Sequence, residues 1–230
     1  MTIKNLVINF DNAKFKICLQ RYGYVFNIAI DYLGKSLQTN LPAFNPKKRV
    51  YLACIKKNEL GIFYVKDRMV CDAVASGFVD LGIVGSDRIY EGEFKNKIVE
   101  IKKINSVSWP LVIAIPKSSK VKKISDIKII ATQFPKSVRK YFRSVGKANG
   151  VKIIKVQGSA EAMPYGKWMG KSIDAIADIS ITGRSLKSNL LVQIGKPIAF
   201  FHPVIIANKQ SLKMRSKMSY YKSLLYEQRL

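Results

Sequence analysis

Short apolar runs alternate with longer amphipathic stretches along this whole chain, and that alternation admits few folds. "RVYLACI", "LGIFYV", "PLVIAIPK", "IIATQF", "VKIIKVQG" and "IDAIADIS" each have the length and composition of a strand. Between them, "DRMVCDAVASG" and "PKSVRKYFRSVG" space their apolar residues at helical intervals. The first closes on Gly77 and the second opens on Pro135, the residue types favoured at a helix end and a helix start. Strands alternating with helices mark an α/β protein. The chain has 230 residues, enough for one large domain or two small ones, with a full core either way. The expected division is a first lobe over 1–105, completed by 189–230, and a second lobe over 106–188. At the N-terminus "NLVINF" is expected as a strand and "KFKICLQRYGY" as a helix ending near Gly23. "GRSLKSNLLVQI" is expected as a helix. "SLKMRSKMSYYKSLLYEQRL" is expected as a terminal helix, with Tyr220, Tyr221, Leu224, Leu225 and Tyr226 as an apolar stripe facing the first lobe or a partner subunit.

Composition removes several function classes. No apolar run approaches the length of a membrane span, and the N-terminus lacks a signal-peptide core with a cleavage site. The three cysteines, Cys18, Cys54 and Cys71, are far apart and lack metal-ligand spacing, so reduced thiols and a cytoplasmic location are expected. A formal charge of +25 invites a nucleic-acid reading, but the basic residues are 31 Lys and only 9 Arg, scattered singly or in pairs. No specific nucleic-acid partner is expected; an anionic substrate would still gain from the field.

The stretch that carries chemistry is "DAIADISITGRSLKSN", Asp174–Asn189. An apolar strand carries Asp178 near its end, and Thr182, Gly183, Arg184 and Ser185 follow on the way into a helix. Backbone N–H groups at such an entrance face outward and favour an anion. Gly183 permits a left-handed turn or close approach of a phosphate, while the Thr182 and Ser185 hydroxyls can donate to the same oxygens. A carboxylate just behind them accepts two sugar hydroxyls at once. The residues alone are equally compatible with an ordinary capped helix preceded by an Asp.

Four segments in order narrow the choice. "VASGFVDLGIVGSD", "IIATQFPKSVRKYF", "VQGSAEAMP" and "DAIADISITGRSL" resemble the motifs of the ATP phosphoribosyltransferases, over roughly residues 50–210. The resemblance implies a two-lobed fold like the type II periplasmic binding proteins, with a split first lobe and a hinge. It implies transfer of a phosphoribosyl group from 5-phosphoribosyl 1-diphosphate to N1 of ATP with Mg²⁺, releasing pyrophosphate, the first step of histidine biosynthesis. By the same resemblance Asp178 holds the ribose hydroxyls, Thr182, Gly183, Arg184, Ser185 and Leu186 hold the 5′-phosphate, and Glu161 sits beside the sugar or the metal. Phe134 stands where the family has an aromatic residue near the nucleotide. Gly82, in "GIVGSD", lines a ligand cleft or makes a tight turn. The family's first strand is followed by a nucleotide-contacting Pro-Lys-Gly-Arg loop; with "NLVINF" as that strand, the loop reads Asp11-Asn12-Ala13-Lys14 and Lys14 is its cation. The chain resembles the family's short form. A homo-oligomer, such as a dimer, is expected, and so is a hetero-oligomer with a regulatory subunit like a histidyl-tRNA synthetase. The one histidine, His202 in "AFFHPVII", is expected to be structural. The competing reading is a non-catalytic two-lobed binding protein for a small anionic ligand.

Overall fold

The computed structural model describes residues 3–55, 59–94, 96–104, 107–147 and 149–225. The chain divides into two compact α/β units, Met1–Ser106 with Pro203–Leu230, and Val107–His202. The first unit contains α1 (Ile3–Asp11), β1 (Phe15–Gln20), α2 (Tyr24–Leu37), β2 (Leu52–Ile55), β3 (Leu60–Val65), α3 (Asp67–Ala75), β4 (Leu81–Gly85), α4 (Ser86–Glu91) and β5 (Ile98–Lys103). The second contains β6 (Trp109–Pro116), β7 (Ile129–Thr132), α5 (Pro135–Ser144) and β8 (Lys152–Lys155). It continues through the short β9 (Lys167–Trp168) and β10 (Lys171–Ser172), then β11 (Ala175–Ile179), α6 (Arg184–Ser188), β12 (Leu191–Gln193) and β13 (Ala199–Phe201). The chain then returns to the first unit with β14 (Pro203–Asn208) and α7 (Met218–Leu225). Among the described residues no helix is long and apolar enough to cross a membrane.

The first unit's sheet has the order β2-β3-β1-β4-β14-β5, with β3, β1 and β4 parallel. This corrects the expected N-terminus: the opening strand is "FKICLQ", and "NLVINF" lies in a helix. Phe15, Ile17, Cys18 and Leu19 are all fully buried, as a central parallel strand covered on both faces requires. α1 instead buries Phe10, one turn beyond the half-buried Leu6, and leaves Val7 and Ile8 exposed. Gly61 of β3 makes room for that ring, since a Cβ there would stand 2.8 Å from a Phe10 carbon.

A buried polar knot fastens the C-terminus onto this unit. Asp80, just before β4, accepts hydrogen bonds from the Lys16 amide (2.8 Å), the Ser211 hydroxyl (2.5 Å) and the Lys217 ammonium. The Tyr221 hydroxyl donates to the Asp80 carbonyl at 3.0 Å, and Tyr220 and Tyr221 pack on Phe15 at 5.1 and 5.0 Å between ring centroids. Tyr220 and Tyr221 of the expected stripe thus pack on their own first unit, and Leu224 is buried; the Leu225 side chain and Tyr226 lie outside what the structure describes.

The second unit's sheet runs β12-β6-β11-β7-β8, with β13 also on β6. β11, β7 and β8 are parallel to one another, and β6 is antiparallel to β11. The return to the first unit comes at 203, not at the expected 189. Leu191 pairs with Pro116 and Phe201 with Trp109, so both short strands complete the β6 edge before the chain leaves. The expected helix over "GRSLKSNLLVQI" is likewise shortened. It stops at Ser188, where the Asn189 side chain donates to the Ser185 carbonyl and Leu190 turns left-handed at φ 52°.

Candidate active site

Because β11, β7 and β8 run the same way, the loops after them open on one edge of the second unit's sheet, where α/β proteins bind ligands. The loop after β11 holds the acid and the small residues. Asp178 is half-buried opposite Val112, with its carboxylate accepting from the Ile179 amide at 2.7 Å. Gly183 is left-handed at φ 68°, and no heavy atom lies within 4 Å of where its Cβ would stand. Thr182 Oγ1 accepts from the Arg184 amide at 3.3 Å, which turns the chain into α6. Leu186 is buried, so its side chain anchors the loop and only its backbone can serve a ligand. With five residues, α6 adds little macrodipole; direct hydrogen bonds from amides and hydroxyls must supply any anion affinity.

The loop after β8 brings the second carboxylate. Gly158 and Ser159 are both left-handed, at φ 89° and 49°. For Ser159 that conformation costs about 1–2 kcal/mol, a strain found most often at ligand sites. Nothing in the sequence marks Ser159 beyond its glycine neighbour. A 3-10 turn, Ala160–Tyr165, follows, with Ala160 fully buried and Glu161 half-buried. The Ser185 hydroxyl donates to Glu161 Oε1, and the Tyr165 hydroxyl donates to the Asn189 carbonyl. Glu161 and the Thr182–Ser185 loop are therefore one constellation, assembled from segments 24 residues apart.

The three nucleotide candidates fare differently. Phe134 is only 2% exposed and stacks on Phe201 at 6.0 Å, its amide bonded to Thr132 Oγ1; it is a core residue, not a surface ring. Gly82 is a packing glycine in β4, where a Cβ would stand 2.7 Å from Val70 and 3.0 Å from Val74 of α3. Gly82→Ala is thus expected to lower stability by about 1–3 kcal/mol and to leave nucleotide affinity unchanged; denaturant titration and a binding isotherm check the two halves.

Lys14 precedes the first strand instead of following it. It pairs with Glu59 at 3.1 Å on the surface, and that carboxylate holds the ammonium pKa above its usual value. The loop that does follow β1 is Arg21-Tyr22-Gly23, which the expected helix over "KFKICLQRYGY" conceals. Gly23 is at φ 101° and starts α2. The Arg21 amide bonds the Val65 carbonyl at 2.8 Å, tying this loop to the end of β3. The Arg21 guanidinium lies 5.5, 5.6 and 5.4 Å from the rings of Tyr22, Phe44 and Tyr51, within cation–π range. Its Nε is buried without a hydrogen-bond partner. From β1 the chain leads through α2 and β2 to β3 on one side, and β3 crosses through α3 to β4 on the other, so this loop stands at the first sheet's topological switch point.

Comparison with known proteins identifies the family. The model of the ATP phosphoribosyltransferase family (HisG) matches residues 66–227. The chain is 32% identical over 174 residues to the ATP phosphoribosyltransferase of Methanocaldococcus jannaschii, covering 74% of this chain but only 58% of that protein. It is 32% identical over 204 residues to the Clostridium botulinum (strain 657) enzyme, covering 88% of this chain and 92% of that one. Among solved structures, the ATP phosphoribosyl transferase (HisG:HisZ) complex from Thermotoga maritima superposes with a TM-score of 0.66 at 26% identity, over 91% of this chain and 96% of that chain. Arginine-bound ArgBP of T. maritima superposes at 0.52 with 15% identity, over 95% and 96%, a likeness of fold alone. Two α/β units with a split first unit, an acid five residues ahead of a left-handed glycine, and a family match across most of the chain converge: the chain belongs to the ATP phosphoribosyltransferase family, the pentosyltransferases of histidine biosynthesis.

Proposed function

We propose that this chain transfers the phosphoribosyl group of 5-phosphoribosyl 1-diphosphate to N1 of ATP, releasing pyrophosphate. The observation that carries the reading is the joining of Asp178, the Thr182–Ser185 loop and Glu161 at one sheet edge. The amides and hydroxyls of Thr182–Leu186 hold the 5′-phosphate and Asp178 accepts the ribose diol. Adenine N1 is unprotonated at neutral pH, so attack needs no general base. As the bond at C1 breaks, the sugar ring gains positive charge, and the carboxylates of Asp178 and Glu161 stabilise it in this reading. Positioning supplies the rest.

Among the described residues no group of three or more His, Cys, Asp or Glu could hold a metal ion. A magnesium ion carried largely by substrate phosphates needs few protein ligands, and Asp178 and Glu161 would be its protein-side partners. When bound, it would neutralise the charge that grows on the leaving pyrophosphate.

The ATP contact belongs to Arg21-Tyr22-Gly23, the loop after the true first strand. Arg21→Ala is expected to raise KM for ATP about tenfold with kcat within about twofold, while Lys14→Ala leaves both unchanged; initial-rate kinetics at saturating second substrate decides. The T. maritima structure is a HisG:HisZ complex, which supports a regulatory partner of that kind here; a homodimer and a cytoplasmic location are part of the proposal and rest on the family resemblance alone. The periplasmic-type fold keeps one competing reading alive, a non-catalytic receptor for a small anion. Ultraviolet absorbance separates them. With ATP, the diphosphate donor, Mg²⁺ and pyrophosphatase, N1-substituted adenine is expected to accumulate. Binding of the donor without product, both with and without a HisZ-type subunit, would establish the receptor.

A further inference from the structure

We propose that Glu161 gates the phosphate subsite, its carboxylate and the donor's 5′-phosphate competing for the Ser185 hydroxyl. The inference rests on the reading of the Thr182–Ser185 loop as the site of that phosphate. A serine hydroxyl has one proton to donate, and that of Ser185 goes to Glu161 Oε1. A carboxylate oxygen and a phosphate oxygen are equivalent acceptors for it, so one excludes the other at this hydrogen bond.

The surroundings restrict the exchange to a side-chain movement. Beneath the pair, Ala160 and Leu186, the neighbours of Glu161 and Ser185, belong to one buried apolar cluster with Val156, Ile173 and Leu191. Beyond it, Tyr165 bonds the carbonyl of Asn189, joining the far end of the Glu161 turn to the end of α6. Both backbones are thus fixed relative to each other, and the Glu161 side chain is what turns. Gly183 leaves open space beside the loop for the arriving group. Phosphate binding then does two things together: it takes the Ser185 proton and, by like-charge repulsion, sends the Glu161 carboxylate away from the subsite. A carboxylate released only when the donor is seated reaches the sugar ring when it is needed. Glu161 therefore weakens donor binding while it aids turnover.

Ribose 5-phosphate is the probe, titrated calorimetrically into wild type, Glu161→Gln and Ser185→Ala, with thermal melts confirming equal folding. Glu161→Gln is expected to bind it about three- to tenfold more tightly, because the repelling charge is gone. Its KM for the diphosphate donor should fall while kcat also falls, a split that a merely structural defect does not produce. Ser185→Ala should bind the probe several-fold more weakly. Wild-type binding with no gain in Glu161→Gln overturns the gate and leaves the site assignment standing. No binding by any of the three proteins overturns both.

Discussion

Asp178→Asn is expected to cut turnover at least tenfold, a loss of about 1.4 kcal/mol of transition-state stabilisation, in a protein that melts like wild type. The carboxylate is held in place by the Ile179 amide, and its strand is fixed between β6 and β7. Asparagine keeps one acceptor oxygen but turns an NH₂ group toward the ribose diol, and it removes the negative charge facing the ring as C1 becomes electron-poor. Both losses grow in the transition state, so kcat should fall more than KM for the donor rises. Steady-state kinetics in both substrates, with circular dichroism melts, measures the two parts. Undiminished turnover would mean that the ribose is gripped by another group.

Asp80→Ala is expected to cost about 3 kcal/mol of stability and roughly 6–12 °C of melting temperature for a chain of this size. Removing the carboxylate leaves the Lys16 amide and the buried Ser211 hydroxyl without their acceptor and strands the partly buried Lys217 ammonium. Because Ser211 and Lys217 come from the C-terminal segment, and the Tyr221 hydroxyl of α7 bonds the same Ser211 hydroxyl, loosening of α7 should be the first structural consequence. Hydrogen exchange of the Met218–Leu225 amides reads that directly. Asp80→Asn, which keeps an acceptor but no charge, should lose less. An Asp80→Ala protein that melts with wild type would show that the knot is incidental.

The second unit was largely legible from the sequence, and the reason is local. Its strands are bounded by Gly158, Pro116 or Pro135, and its ligand loop has an acid, hydroxyls and a glycine at close spacing. The first unit was misread at its start because "NLVINF" and "KFKICLQ" are both short apolar runs. What distinguishes them is long-range: Phe15–Gln20 pairs with β3 on one side and β4 on the other, whereas α1 needs only to deliver Phe10 to the space above Gly61. That single error put the expected nucleotide loop at Lys14, whereas the loop that follows β1, and that is proposed for ATP, is Arg21-Tyr22-Gly23. The late return at 203 was hidden for the same reason, since β12 and β13 exist only through their bonds to β6. Phe134 and Gly82 matched positions in a motif, but burial gives both a packing role that one-dimensional spacing does not reveal.

The most direct measurement is a crystal structure with 5-phosphoribosyl 1-diphosphate and Mg²⁺ bound. The 5′-phosphate is expected on the backbone amides from Thr182 to Leu186 with the Thr182 and Ser185 hydroxyls, and the ribose 2′- and 3′-hydroxyls on Asp178. A donor seated elsewhere, with the Gly183 loop touching no part of it, would contradict the assignment.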